Sequence, residues 1–202
     1  MGMNRFPLTT ANSYSSKYRP GEKLYATLEL NQVAFPKTGM VVSQTPLGAA
    51  FDLTNPCENG MWVVADKAAG AINAPAAVTD KPIGIVYTTE KEYDIFHYGL
   101  KTFGRKVAGD YPRVGIFGLG DTVTTNCLQY DDSEAGFTTL EALEATLKAY
   151  ETTPVYVVPV AGSPVPQLTK TAPQSGLYAK VTKYYTVPNG EKGVKYQIVK
   201  LA

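Results

Sequence analysis

Leu177-Tyr178-Ala179-Lys180-Val181-Thr182-Lys183-Tyr184-Tyr185-Thr186-Val187 and Val194-Lys195-Tyr196-Gln197-Ile198-Val199-Lys200-Leu201 are two runs built mainly from Tyr, Lys and Val in alternation. Successive side chains of a strand point to opposite faces, so this alternation marks two strands with one face on a core and one toward water. Pro188-Asn189-Gly190-Glu191-Lys192-Gly193 between them is rich in turn residues, and the pair reads as a C-terminal β-hairpin.

Upstream of the hairpin, the Pro/Ser/Gln/Thr-rich stretch 162–175 reads as a loop. Val155 to Val160 is a nearly continuous apolar strand; Pro159, which lacks an N–H, favours a sheet edge or a strand end. Before it lies the clearest helix, from about Thr139 to Tyr150. Thr138 and Glu141 have capping-box spacing there, and Leu140, Leu143, Leu147 and Tyr150 form one stripe that packs on a sheet. Tyr111 to Phe117 reads as a strand, Gly118-Leu119-Gly120-Asp121 as a tight turn and Thr122 to Cys127 as the antiparallel return, which together suggest a second hairpin.

Further toward the N-terminus the apolar runs are short and close together. Met40-Val41-Val42, Met61 to Ala65 after the Asn59-Gly60 turn, and Ile83 to Tyr87 after Pro82 each suit a strand. Such spacing argues for a small sandwich or barrel. Thr89 and Glu92, followed by Tyr93, Phe96, Leu100 and Phe103, predict a short helix near 89–98. Lys23 to Leu30 alternates Leu24, Ala26, Leu28 and Leu30 against polar neighbours, as a half-buried strand does. Residues 1–23 show no period and read as an extended arm, either a frayed terminus or a segment that orders on a partner. The expected fold class is mainly β (α+β), a small sandwich- or barrel-like body with one or two short helices and the C-terminal hairpin. Its organisation reads as the arm 1–23, a β-rich domain 24–130, and a helix-plus-hairpin segment 131–202 packed on the same body.

The 202 residues are 44% hydrophobic, enough for a sizeable core. Lys+Arg 19 against Asp+Glu 18 leaves a net charge of +1, which supplies no long-range field for a phosphate backbone or an anionic membrane. No segment approaches the length of a membrane span, and the N-terminus lacks the apolar stretch of a signal peptide. The single histidine, His97, excludes sites that need two imidazole ligands and has no Cys, His or paired acid at ligand spacing. Cys57 and Cys127 stand far apart, outside any CxxC pattern, and read as two buried thiols, the alternative being a single bridge if their strands meet in the fold.

The residues that could carry chemistry have structural readings. Gly118-Leu119-Gly120 lacks the third glycine of a dinucleotide loop, since Val123 occupies that position, and a strand rather than a helix follows it. The acids Glu90, Glu92 and Asp94 suit the first turn of a helix, and Asp131, Asp132 and Glu134 suit a solvated loop. No catalytic, metal or cofactor residue is assigned, and the expectation is a chain that is not an enzyme. Trp62 reads as a packing residue. The 14 tyrosines are either good β-formers or contact residues, because Tyr combines large area, few rotors and a polar tip.

The segment Glu58-Asn59-Gly60-Met61-Trp62-Val63-Val64-Ala65-Asp66, running through Ala69-Gly70 and Pro75 to Lys81-Pro82-Ile83-Gly84-Ile85-Val86-Tyr87, resembles the head decoration (cement) proteins of tailed bacteriophages. Tyr111 to Gly115, Gly120 to Asn126, and Thr186 to Gln197 look like phage virion structural proteins too, and the likeness covers about half of the chain. The resemblance implies an accessory protein on the outer capsid surface, made in the host bacterial cytoplasm, that stabilises the head. Its implied partners are the major capsid protein of the same virion and neighbouring copies of itself, with no cofactor, no direct nucleic-acid binding and no membrane. Under this reading Phe6, Tyr14 and Tyr18 of the arm and Tyr178, Tyr184 and Tyr196 of the hairpin are the capsid contacts. The alternatives are a tail or head-fibre attachment protein, or a carbohydrate-binding β module using Trp62 and the tyrosines.

Overall fold

The computed structural model describes residues 3–5, 32–34, 40–52, 54–65, 67–87, 107–186 and 192–201. Among the described residues the strands, in chain order, are β1 (Met3–Arg5), β2 (Gln32–Ala34), β3 (Val41–Val42), β4 (Trp62–Val64), β5 (Ile83–Val86), β6 (Val114–Ile116), β7 (Thr122–Thr125), β8 (Gln129–Asp131), β9 (Tyr156–Val160), β10 (Ser163–Thr169), β11 (Tyr178–Thr186) and β12 (Lys192–Lys200), and the α-helix α1 (Leu140–Lys148) lies between β8 and β9. The protein is mainly β. An eight-stranded sheet has the order β1-β8-β10-β9-β11-β12-β7-β2, and a four-stranded sheet has the order β3-β6-β5-β4. Every ladder is antiparallel except β8–β10. Among the described residues the large sheet runs from β1 to β2 without those ends pairing, so it is not a closed barrel.

The two sheets share a core. Trp62, Ile83 and Ile85 of the small sheet pack with Val123, Val157, Ala179, Val181, Val194, Tyr196 and Ile198 of the large one, and Leu143 and Leu147 of α1 close the same cluster. Trp62 is fully buried and joins the layers. Its ring meets Phe117 at 5.0 Å and Tyr196 at 5.8 Å, both edge-on, and its Nε1–H donates to the Tyr196 hydroxyl at 2.9 Å. The opposite face of the small sheet, with Val63, Val86 and Val114, lies in a second cluster with Leu47, Phe51, Ile72, Cys57 and Cys127. A sheet buried on both faces has no room for polar alternation, which explains the continuous apolar reading of Ile83 to Val86.

The C-terminal hairpin is present as β11 and β12, paired antiparallel with irregularities in register between Tyr178 and Ala179 and between Val181 and Lys183. The turn at Asn59-Gly60 also forms, with Gly60 at φ 89° and its N–H bonded to the Val86 carbonyl. In α1 the capping residue is Thr139 rather than Thr138; its side chain accepts from the Ala142 N–H at 3.2 Å, while Leu143 and Leu147 are buried as the stripe requires.

Two expectations are overturned. Tyr111–Phe117 and Thr122–Cys127 do not form a hairpin: β6 belongs to the small sheet and β7 to the large one. The turn between them redirects the chain because Asp121 accepts from the Gly118 N–H at 2.6 Å, Gly120 takes φ 91°, and the Gly120 N–H and Asp121 carbonyl bond to Ile198 of β12. The stretch 162–175 is not all loop, since β10 occupies Ser163–Thr169. Prolines at 164 and 166 are accommodated by a register shift against β9 between Ser163 and Gln167, and the Gln129 side-chain amide supplies a donor to the Val165 carbonyl. Pro159 lies one residue from the end of β9, beyond the Val157 and Tyr156 positions that pair with β11, although β9 itself is interior to the sheet. The strand expected at 23–30 and the helix expected near 89–98, with His97, lie outside the described residues. Of the arm, only Met3–Arg5 is described, as edge strand β1 on β8.

Candidate partner-binding face

The side of the large sheet turned away from the shared core is built by strand parity. Val157, Ala179, Val181, Tyr196, Ile198 and Val123 point inward and are buried, so their neighbours Tyr156, Tyr178, Lys180, Lys195, Gln197 and Thr122 point outward. Register aligns four of them in one row: Tyr156 is the partner of Lys180, Lys180 of Gln197, and Gln197 of Thr122. That row crosses three strand spacings, about 14 Å. Alongside it, Lys183 is the cross-strand partner of Lys195, and both are exposed. Tyr156 and Tyr178 meet edge to face at 5.7 Å and 82°, which braces two half-buried rings at the β9 side.

The four strands that build this face carry basic but no acidic residues. None of β7, β9, β11 and β12 contains Asp or Glu, while β11 and β12 carry Lys180, Lys183, Lys192, Lys195 and Lys200. Lys192 and Lys200 reach toward neighbouring elements. Lys192 bonds Glu144 of α1, and the Lys200 ammonium donates to the Gln174 carbonyl at 2.7 Å. The Lys192 ammonium holds the Glu144 carboxyl below the usual carboxylate range. Lys180, Lys183 and Lys195 are exposed on the outward side of β11 and β12.

The tyrosines named from sequence separate. Tyr178 is half-buried on the outward face. Tyr184 turns inward against the shared core and toward Glu144; burial first, and that carboxylate second, push its phenol up to about 12. Tyr196, expected among the surface contacts, is a core residue with 0% exposure, and burial pushes its phenol strongly upward. The reason is register: Tyr196 sits opposite Val181 and Val123, both inward. Phe6, Tyr14 and Tyr18 lie outside the described residues. Trp62 offers no ring face to a sugar because it is fully buried. Residues that sequence reasoning missed are Lys180, Lys183, Lys195, Tyr156, Gln197 and Thr122; the signal for the lysines was the acid-free composition of the last two strands.

The acidic loop after β8 is structural. Asp131 accepts from the Ser133 N–H and hydroxyl, which holds it below the carboxylate range, and Glu134 accepts from the Thr169 hydroxyl and the Lys170 N–H at the end of β10. Among the described residues no group of three His, Cys, Asp or Glu side chains is placed to hold a metal ion. Gly118, whose segment most resembled a phosphate loop, gives its N–H to Asp121. Acids at 90, 92 and 94 lie outside the described residues. No protein-family model, curated protein or solved structure matches the chain.

Proposed function

We propose that this chain is a non-enzymatic virion structural protein, a decoration (cement) protein that binds the outer capsid surface of a tailed-bacteriophage head and stabilises it. The observation that supports this reading is the outward face of the large sheet, where Tyr156, Tyr178, Lys180, Lys183, Lys195, Gln197 and Thr122 are presented on four hydrogen-bonded strands. A rigid sheet face pre-orders its contact residues, so little conformational entropy is lost on docking. Modest contacts of this kind multiply over a symmetric shell, and avidity replaces tight single interfaces. The partner is the major capsid protein, with neighbouring copies of the chain at the rim.

The test is co-sedimentation of the purified protein with expanded heads that lack it, followed by heating of the saturated heads. Saturable binding at a symmetry-compatible copy number, with a higher disruption temperature, is the expected result. Protein that stays in the supernatant at micromolar concentration overturns the decoration role and directs the same assay to tails and fibres. Deleting residues 1–23 measures the arm separately: binding unchanged by the deletion removes Phe6, Tyr14 and Tyr18 from the contact set.

A further inference from the structure

We infer that the outer edge of β8 accepts the β1 segment of a second copy of this chain, so that copies join by strand donation. The inference goes beyond the capsid reading, since its partner is another copy of the chain and no head takes part. β8 lies at one rim of the large sheet. Its inner edge pairs in parallel with β10; among the described residues its outer edge is covered by β1, antiparallel, with Met3 opposite Asp131, Asn4 opposite Tyr130 and Arg5 opposite Gln129. The next described strand in the chain is β2, yet β2 forms the opposite rim of the same sheet. Seven strand spacings separate β1 from β2 in the sheet order, about 34 Å along the sheet.

This placement favours pairing between chains over pairing within one. Residues 6–31 join the two strands, and a stretch of that length spans at most about 90 Å, so both routes are within reach. Within one chain, β1 must be carried past the six strands that lie between the rims. Two copies set side by side, head to tail, bring the β2 rim of one against the β8 rim of the next, and β1 then docks beside the rim at which its own chain enters the sheet. The same backbone ladder forms either way, so donation between copies gives up no hydrogen bond of that ladder. An edge without its donor presents unpaired N–H and C=O groups, which are the template a strand from another chain extends. Each copy is donor at one rim and acceptor at the other, a heterologous contact that repeats around a ring.

The experiment is disulfide trapping in the full chain at one cross-strand pair, with Met3→Cys and Asp131→Cys as separate variants. Cross-strand partners lie within the Cα separation that a disulfide spans, and Cys57 and Cys127, at 0% exposure, stay out of the exchange. The two variants are mixed in equal amounts at millimolar concentration, where strands within and between chains compete, in a buffer of reduced and oxidised glutathione. Neither variant can join positions 3 and 131 within itself, so a heterodimer linked there, read by mass spectrometry, reports donation between copies. That heterodimer is the expected main product, with a ladder of covalent multimers from M3C/D131C; each variant alone supplies the background of symmetric links. An internally linked monomer from M3C/D131C with no heterodimer in the mixture overturns the inference, as does the lack of any link between the two positions. Sedimentation velocity of the unsubstituted chain at the same concentration is independent of how the variants fold: multimers that disappear when residues 1–5 are deleted are expected, and a monomeric parent chain overturns the inference. Head binding is read separately. Donation between copies that leave heads undecorated keeps this inference and loses the capsid role, and decorated heads with links confined to single chains do the reverse.

Discussion

Trp62 and Tyr196 hold the layers of this protein together through one hydrogen bond and one edge-on ring contact, both fully buried. Tyr196→Phe keeps the ring and removes the acceptor, leaving an indole N–H with no water to replace it. The expected cost is about 2 kcal/mol, read as a fall in Tm of roughly 4–8 °C for a chain of this size; an unchanged Tm would show that the hydroxyl contributes nothing. Glu144 and Tyr184 each contribute stability that depends on pH. The carboxyl of Glu144 is depressed from its ordinary 4.5 by Lys192, so the stability it contributes is complete above that value and is lost as pH falls through the lower folded value. Tyr184 is raised from 10.0 to about 12, so its contribution is complete below 10 and is lost as pH rises toward 12. Urea unfolding across pH should therefore show a plateau with two falling arms. Glu144→Gln should flatten the acid arm, and Tyr184→Phe the alkaline one; arms identical to the parent in both variants would remove this pair from the account.

At the scale of elements, the close fit of β5 against β6 depends on a missing side chain. A Cβ on Gly84 would stand 2.6 Å from the Gly115 carbonyl oxygen and 2.7 Å from Val114 Cγ1. Gly84→Ala therefore forces backbone to move in a sheet buried on both faces, with an expected loss of about 1–3 kcal/mol in denaturant unfolding. A variant as stable as the parent would mean that the strands separate freely there. The individual elements were largely legible: β11 and β12 from alternation, α1 from its Leu143 and Leu147 stripe, β4 and β5 from apolar runs beside turn residues. What local pattern misassigned was partnership. Gly118 to Asp121 has the composition of a hairpin turn, yet its bonds go to Ile198, some eighty residues later in the chain. Likewise Ser163 to Thr169 looks like loop because of its prolines, and is a strand because it pairs with β9 and β8, with Gln129 of β8 supplying a donor to the Val165 carbonyl beside the register shift.

For the whole molecule, the small sheet is a contiguous insertion of β3 to β6 between strands of the large one, and its second core encloses both cysteines. Cys57 and Cys127 are thiols at 0% exposure. A thiol reagent should label neither in the native protein and both in denaturant, and reductant should leave the Tm unchanged; rapid native labelling would mean that this cluster opens. Sequence by itself determined the β class, the C-terminal hairpin and the amphipathic helix, because each follows from side-chain periodicity over a short span. Only the tertiary structure decided which strands share a sheet, that Trp62 is buried and Tyr196 faces the core, and that Cys57 and Cys127 are separate buried thiols. Those outcomes depend on register between distant strands, and a shift of a single residue would turn every side chain of β12 to the other face.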